Sequence, residues 1–241
     1  MIVHIGTSGW HYDHWEGPFY PEGTAKKEYL EFYAQRFLTA EINNTFYQVP
    51  HKNTLIRWRD AVPQNFIFSV KASRYITHMK KLKDPQQALS KFLKQVEVLG
   101  DKLGPILFQL PPRWNVNPER LDSFLKALPA SFRYTFEFRD PSWCQDCVYD
   151  LLTERDAAFC MYDFDRHQSP TEVTAGFVYI RLHGPEGPYK GKYNSQSLSG
   201  WAGAIHAWAK REKEVFCYFD NDQSGYAAQN ALDLKGMIGE D

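Results

Sequence analysis

The chain has 241 residues, of which 43% are hydrophobic and 16% aromatic, and its formal net charge is -1. This length is sufficient to bury a substantial core, and the near-neutral charge gives no electrostatic reason to bind a polyanion. No apolar run approaches the roughly 18 residues that span a bilayer, and the segment from Met1 to His4 lacks the features of a signal peptide. The sequence therefore predicts a soluble cytoplasmic protein, with no membrane partner and one domain over residues 1–241.

The four cysteines do not form the pattern of a disulfide framework. Cys160 and Cys217 lie inside strand-like runs. Cys144 and Cys147 form a Cys-x-x-Cys pair, which occurs in redox sites and as half of a zinc site, but no second pair or His-x-x-x-His completes four ligands. We therefore predict reduced thiols, no metal and no cofactor.

Strand-like segments alternate with helical segments along the whole chain. The predicted strands end near Gly6, Thr45, Lys71, Gln109, Arg139, Asp163, His183 and Asp220. Helical signals cover 24–37, 50–61, 85–102, 118–128, 148–156, 198–213 and 224–237, whereas the sixth crossover, 166–176, shows no convincing helix. This alternation predicts an α/β fold, a single TIM-type (β/α)8 barrel of parallel strands.

Charged residues collect at the C-terminal ends of two of these strands. Alternation within 132–143 places Glu137 and Arg139 on one face and aromatic residues on the other. The seventh strand repeats the pattern with Arg181 and His183, and Lys71 ends the third strand. Because the active site of a TIM barrel lies at this end, we expect the five side chains to converge there.

Four further residues are candidates for ligand binding. Asn43 is predicted to share a strand face with Glu41, either lining the barrel interior or completing a satisfied hydrogen-bond network. Gln109 is the one polar side chain of an apolar strand, and Asp220 ends the last strand. Trp10 follows a short glycine-containing loop whose aromatic neighbours predict either a packed lid or a stacking surface.

The chain resembles the YecE-like family, a barrel family that is classed as a domain of unknown function. The motifs that carry the resemblance span nearly the whole chain: Gly6 to Trp10, Phe19 to Pro21, Glu41 to Tyr47, Thr77-His78, Lys102 to Gly104, Gln109 to Pro112, Glu137 to Arg139, Ser142-Trp143, Tyr179 to Gly184 and Tyr218 to Asn221. The resemblance implies a TIM-type barrel and no particular reaction. It also implies asparagine where Asp220 stands and no counterpart of the Cys144/Cys147 pair, so these positions depart from the family pattern.

The favoured functional hypothesis is an enzyme that acts on a small polar or anionic substrate. Glu137 is predicted as a general base and His183 as an acid or electrophile, while Arg139 and Arg181 hold a carboxylate or phosphate. Lys71 is a candidate Schiff-base nucleophile, a point charge for an anion, or the partner of a core carboxylate. The structural alternative is that Glu137 only neutralises an arginine inside a plugged barrel mouth.

Three other functions stay open on the sequence alone. Nucleic acid is a possible but not favoured partner, with Trp10, Trp15, Tyr75 and Trp114 as stacking residues and a basic loop, 73–84, as the phosphate contact. Metal-dependent phosphoester hydrolysis would have to use Glu41, Glu137, Asp163 and His183 as ligands. A sugar- or nucleotide-binding module without catalysis would use the aromatic rim. The sequence does not predict an oligomeric state.

Overall fold

The computed structural model describes residues 2–239, and its centre is a sheet of eight parallel strands. The strands are β1 (Val3–Thr7), β2 (Thr39–Ile42), β3 (Ile67–Lys71), β4 (Leu103–Leu110), β5 (Tyr134–Phe138), β6 (Ala158–Phe164), β7 (Phe177–Leu182) and β8 (Glu214–Phe219). From β2 to β8 each strand pairs with the next in chain order, and β8 pairs with β1. The seven α-helices are α1 (Tyr29–Ala34), α2 (Lys52–Asp60), α3 (Gln86–Val96), α4 (Pro118–Lys126), α5 (Asp146–Thr153), α6 (Ser195–Ala209) and α7 (Tyr226–Ile238). The predicted TIM-type barrel is confirmed.

The barrel is closed between β1 and β2 by a short seam. Ser8 and Glu41 form a parallel bridge, and the backbone N–H of Gly9 donates to the carbonyl of Glu41 at 2.8 Å. At Gly6 the two strands lie so close that a Cβ atom would stand 2.3 Å from the carbonyl oxygen of Thr39. Glycine is therefore required at this position for the strands to meet.

The barrel interior is filled in layers. Leu107, Phe177 and Phe216 belong to a buried apolar cluster at the lower level. Above it, the hydroxyl of Tyr218 hydrogen-bonds Thr39 at 2.6 Å and Ser69 at 2.8 Å. Charged side chains form the next layer, towards the C-terminal ends of the strands. Filled layers of inward side chains are usual in TIM barrels. The interior is therefore a packed core whose upper surface lies at the C-terminal ends of the strands.

The helices cover the outside of the strands with their apolar faces. In α3, Leu89, Phe92, Leu93 and Val96 are buried, as the period of 3.6 residues requires. Asparagine caps define two helix starts, because Asn117 accepts from the N–H of Arg120 at 2.8 Å and Asn194 accepts from that of Ser197 at 2.9 Å. No helix within residues 2–239 combines the length and the apolar character needed to cross a membrane.

The structure differs from the sequence-based prediction at the end of β2. The predicted extension of β2 to Thr45 is wrong, because Asn43 has helical dihedrals (φ -93°, ψ -30°) and a 3-10 turn follows at Asn44–Phe46. The Thr45 hydroxyl explains the turn, since it donates to the carbonyls of Ile42 at 2.9 Å and Lys71 at 2.5 Å.

The absence of a helix from the sixth crossover is confirmed: only a two-residue strand, His167–Gln168, pairs antiparallel with the end of β6.

Candidate active site

Arg181 is the centre of an ion-pair network at the C-terminal end of the barrel. Its guanidinium is fully buried and contacts three carboxylates: Glu41 and Glu137 at 2.8 Å and Asp220 at 2.9 Å. The Nε group lies 3.1 Å from both oxygens of Glu41, and Nη1 lies 3.2 Å from Nε2 of His183. These contacts account for all five N–H donors of a guanidinium. Arg181 therefore organises the layer and has no donor left for a ligand.

Glu41 and Glu137 have different additional partners. The hydroxyl groups of Ser8 and Tyr179 donate to Glu41 at 2.7 and 2.6 Å. Glu137 is bound by Arg181 and also by the Nε group of Arg139. Burial alone would raise the pKa of Glu137, but the two guanidiniums override it and hold this pKa well below its usual range. Such a carboxylate is a weak base, so the geometry favours the counter-ion role of Glu137 over the predicted general base.

His183 lies at the junction of the acidic and basic groups. Its Nε2 atom is 2.9 Å from Nη2 of Arg139, and its Nδ1 atom is 3.0 Å from Oδ2 of Asp220, a close contact that is not aligned as a hydrogen bond. Because guanidinium groups only donate, Nε2 must be the acceptor of the imidazole. The neutral ring therefore carries its proton on Nδ1, beside the carboxylate. Burial would raise the pKa of Asp220, but Arg181 and His183 lower it below its usual value, so Asp220 is ionised.

Arg139 lies at the rim above the Arg181 layer. Its guanidinium packs on the ring of Phe164, with 3.9 Å from the central carbon to the ring centroid, and its side chain is 7% exposed. The Nε and Nη2 atoms bind Glu137 and His183, whereas Nη1 has no acceptor among residues 2–239. Arg139 is thus the arginine of the site that still has a donor for a ligand.

Lys71 reaches the same rim from the end of β3. Its ammonium group lies 4.5 Å from the centre of the Phe46 ring. None of the carboxylates among the described residues lies within 4.0 Å of Nζ, so the prediction that Lys71 pairs with a core carboxylate is not supported. Burial and the nearby Arg181 lower the pKa of Lys71 to about 8, against the opposing effect of Glu137, Asp220 and Glu41.

The four residues that were predicted to bind a ligand beside the arginines lie in two different regions of the structure. Gln109 is half-buried on β4, in register with Glu137, and Asp220 is in the network. Asn43 and Trp10 instead line a separate cleft of about 400 Å³. Trp10 is only 5% exposed and packs edge-on against Trp58, so most of its ring is core. The structure therefore brings together seven of the nine predicted residues and places Asn43 and Trp10 in this separate cleft.

Sequence reasoning missed several parts of the site. Glu41 was predicted either to line the barrel interior or to complete a hydrogen-bond network. Its pairing with Arg181 joins residues 140 apart and leaves no local signal. Three aromatic rings lie over the charged groups of the rim. Phe46 from the 3-10 turn packs on Lys71, Phe164 at the end of β6 packs on Arg139, and Tyr189 from a loop lies 5.6 Å from His183 between ring centres. Ser8 and Tyr179 also belong to the network, and the period-two alternation of β7 would have indicated Tyr179.

The residues of the alternative functions are placed as follows. Trp15 is completely buried and Trp10 nearly so, which leaves Tyr75, 45% exposed, and the partly buried Trp114 as possible stacking surfaces. Within the part of the chain that the structure describes, no three His, Cys, Asp or Glu side chains are grouped as metal ligands. All four cysteines are free thiols. Nucleic-acid binding and a non-catalytic binding role stay predictions.

Comparisons with known proteins extend along the whole barrel. A family model described as "Protein of unknown function DUF72" matches residues 4–241. The chain is 25% identical over 270 residues to the UPF0759 protein YunF of Bacillus subtilis, a match that covers 98% of this chain and 95% of that protein. The UPF0759 protein YecE of Escherichia coli is 32% identical over 117 residues, 47% of this chain and 42% of YecE. A solved DUF72 family structure from Thermotoga maritima is similar with a TM-score of 0.90 and 27% identity, and the match covers 100% of both chains.

Proposed function

Since the chain belongs to the DUF72 family, whose description assigns no reaction, we propose that the barrel mouth is the active site of an enzyme acting on a small anionic substrate by acid-base catalysis. One observation carries this proposal: His183 lies between the Asp220 carboxylate and the Arg139 guanidinium at the C-terminal rim. Carboxylate-oriented imidazoles are common proton-transfer groups in enzymes, and this rim is where TIM barrels carry their chemistry.

Arg139 is assigned the role of binding the anionic group of the substrate. It lies above the layer in which Arg181 already satisfies Glu41, Glu137 and Asp220, and its Nη1 donor is unused by the described residues. A carboxylate or phosphate can accept two parallel hydrogen bonds from one guanidinium. If the anion takes both Nη1 and Nη2, Arg139 releases the Nε2 atom of His183. Substrate binding would then leave Nε2 with a single guanidinium donor, Nη1 of Arg181 at 3.2 Å, in place of two.

His183 is assigned the role of general base and, after proton transfer, general acid. Its neutral form presents Nε2 as the acceptor, while Asp220 stabilises the proton on Nδ1 and the imidazolium that forms during transfer. Glu137 and Arg181 are assigned positioning roles, because both are fully buried and bound to each other. A proton next to a carbonyl group of the substrate is the natural target of such a site, and Gln109 lies on the same rim.

Replacement of Arg139 tests the anion site. Inorganic phosphate or a simple carboxylate should raise the thermal unfolding temperature of the native protein, because a ligand that binds only the folded state stabilises it by about 2.7 kcal/mol at 100 times its Kd. In Arg139→Gln we expect most of this ligand-induced shift to be lost. Differential scanning fluorimetry measures the unfolding temperature with and without ligand. The ligand-induced shift is compared between the proteins, because the variant also removes a partner of Glu137 and can change the unfolding temperature by itself.

The matched control is Arg74→Gln, which removes an exposed cation of the basic loop 73–84. It should keep the wild-type shift. Equal shifts in wild type and Arg139→Gln, or loss of the shift in Arg74→Gln, would contradict the assignment, because binding would then depend on surface charge and not on the barrel mouth.

A further inference from the structure

Lys71 differs from the four charged residues of the network around it because it has no ionic partner among the described residues. Arg139, Arg181, Glu137 and Asp220 each contact at least one group of opposite charge within 3.0 Å. Within residues 2–239, Nζ of Lys71 has neither a carboxylate within 4.0 Å nor a hydrogen-bond acceptor. Lys71 is partly buried, and a charge removed from water without a partner is costly, so this lysine is not explained by stability.

The surroundings of Lys71 favour a neutral amine. The Phe46 ring on one side offers only a weak cation-π contact, at 4.5 Å from its centre, and the Arg181 charge disfavours a second cation nearby. Burial is the larger of the two causes that lower the pKa of Lys71, and the value of about 8 means that a fraction of the amine is unprotonated near neutral pH. Enzymes that use a lysine nucleophile activate it by desolvation or a neighbouring cation, and both conditions hold here.

The position of Lys71 is also suitable for attack on a bound ligand. It ends β3, at the rim where Arg139 and His183 also lie, and it points inward with Ser69, two residues earlier on the same face. Its register partner on β4 is Leu107, so Gln109, two residues further, lies between Lys71 and the Glu137-Arg139 pair. A small ligand held by Arg139 would therefore lie on the side of the rim from which Lys71 approaches across β4.

We propose that Lys71 forms an imine with a small carbonyl compound that carries a carboxylate or phosphate, a 2-oxo acid being the simplest. This inference rests on the proposed function, because Arg139 must hold the anionic group while the carbonyl carbon faces Nζ. It specifies the substrate class of the site and makes Lys71 a covalent nucleophile.

The reaction balances without any further reagent. The lone pair of the neutral amine forms a C–N bond to the carbonyl carbon, and the π electrons move to the oxygen, which accepts a proton. The nitrogen gives up one proton to form the carbinolamine, which loses this oxygen as water when a second proton is added. The nitrogen lone pair then forms the C=N bond of a protonated imine that keeps the remaining N–H. His183 is the group suited to exchange these protons. The protonated imine then withdraws electrons from the adjacent C–H bond. This acidifies the hydrogen of that bond, which a general base removes as a proton.

Reductive trapping tests the proposal on the full chain. Pyruvate, glyoxylate and glycolaldehyde phosphate are each added with cyanoborohydride, which reduces an imine to a stable secondary amine, and adducts are located by peptide mass spectrometry. We expect one adduct per chain, at Lys71, with a yield that rises as the pH passes about 8 because the neutral amine is the nucleophile. Lys71→Met should lose it, Lys71→Arg provides a second variant that keeps the positive charge, and the exposed Lys80→Met should react like wild type.

Two results would overturn the inference: no adduct with any of the three probes, or labelling spread over exposed lysines and undiminished in Lys71→Met. Its failure is distinguishable from that of the proposed function. Phosphate stabilisation that depends on Arg139, in a protein that forms no adduct, would leave the acid-base site standing and remove only the imine. An adduct at Lys71 whose yield is unchanged in Arg139→Gln would remove the anion-binding role of Arg139 as well as the basis of this inference.

Discussion

Replacing Arg181 with methionine is expected to destabilise the protein by about 3–5 kcal/mol, because removing one partner of a buried ion pair leaves an uncompensated charge. Here the variant would leave Glu41, Glu137 and Asp220 facing one another without their common guanidinium. Tyr179 and Ser8 still donate to Glu41, but neither supplies charge. Urea denaturation followed by circular dichroism measures the loss.

Arg133→Met is the matched control, because it also removes an arginine from an ion pair. The partner of Arg133 is Glu214, and this pair is partly exposed. Pairs of this kind contribute about 0–1 kcal/mol, so the control should remain close to wild type. If Arg181→Met does not fold, the double variant Arg181→Met/Glu41→Gln should recover part of the folded signal, because it removes one of the orphaned charges. Similar losses in Arg181→Met and Arg133→Met would show that the buried network is not what makes Arg181 important.

The second large effect concerns His183. Once a substrate is identified by screening phosphorylated sugars, sugar acids and nucleotides, together with 2-oxo acids, His183→Gln should lower kcat by about two to four orders of magnitude, the usual contribution of general acid-base catalysis. The substituted amide cannot exchange protons, and it loses the link to Asp220 that stabilises the charged ring. Steady-state kinetics on the purified variant provides the measurement, with its circular dichroism spectrum as the check on folding.

Two further variants serve as controls for the effect of His183→Gln on kcat. His206→Gln changes a histidine in α6 whose ring has one hydrogen bond within residues 2–239, to the carbonyl of Ala202 at 2.9 Å, and it should leave kcat unchanged. Asp220→Asn keeps an oxygen that can accept from Nδ1 but removes the charge, so it should fall between wild type and His183→Gln. Retention of full activity in a folded His183→Gln protein would show that His183 is not the proton-transfer group.

The barrel was predictable from the sequence because its signals are local. Each strand shows alternation or an apolar run, each helix shows its own period, and the side-chain period of two places Glu137, Arg139, Arg181 and His183 on the inward face. The end of β2 was not predictable in this way. The hydroxyl of Thr45 bonds to the carbonyl of Lys71 on the next strand, and this contact between strands turns the chain after Ile42.

The roles of the site residues were less predictable than their positions. The sequence cannot show that Arg181 meets Glu41 across the barrel, that this contact saturates its donors, or that Lys71 has an aromatic neighbour in place of a carboxylate. For this reason the sequence assigned both Arg139 and Arg181 to the ligand and Glu137 to the base. The geometry favours Arg139 alone for the ligand and His183 for the base. These roles depend on which groups compete for each charge, and that competition is decided by tertiary packing.

The central claim is that a small anion binds at the C-terminal mouth of the barrel, on Arg139 and above the buried Arg181 layer. The most direct test is a crystal soaked with tungstate, in which the anomalous signal of the metal locates the anion without bias from a starting structure. We predict a peak within hydrogen-bonding distance of the Arg139 guanidinium, on the side of Lys71 and His183. Peaks confined to the basic loop 73–84, with none at the barrel mouth, would contradict the claim.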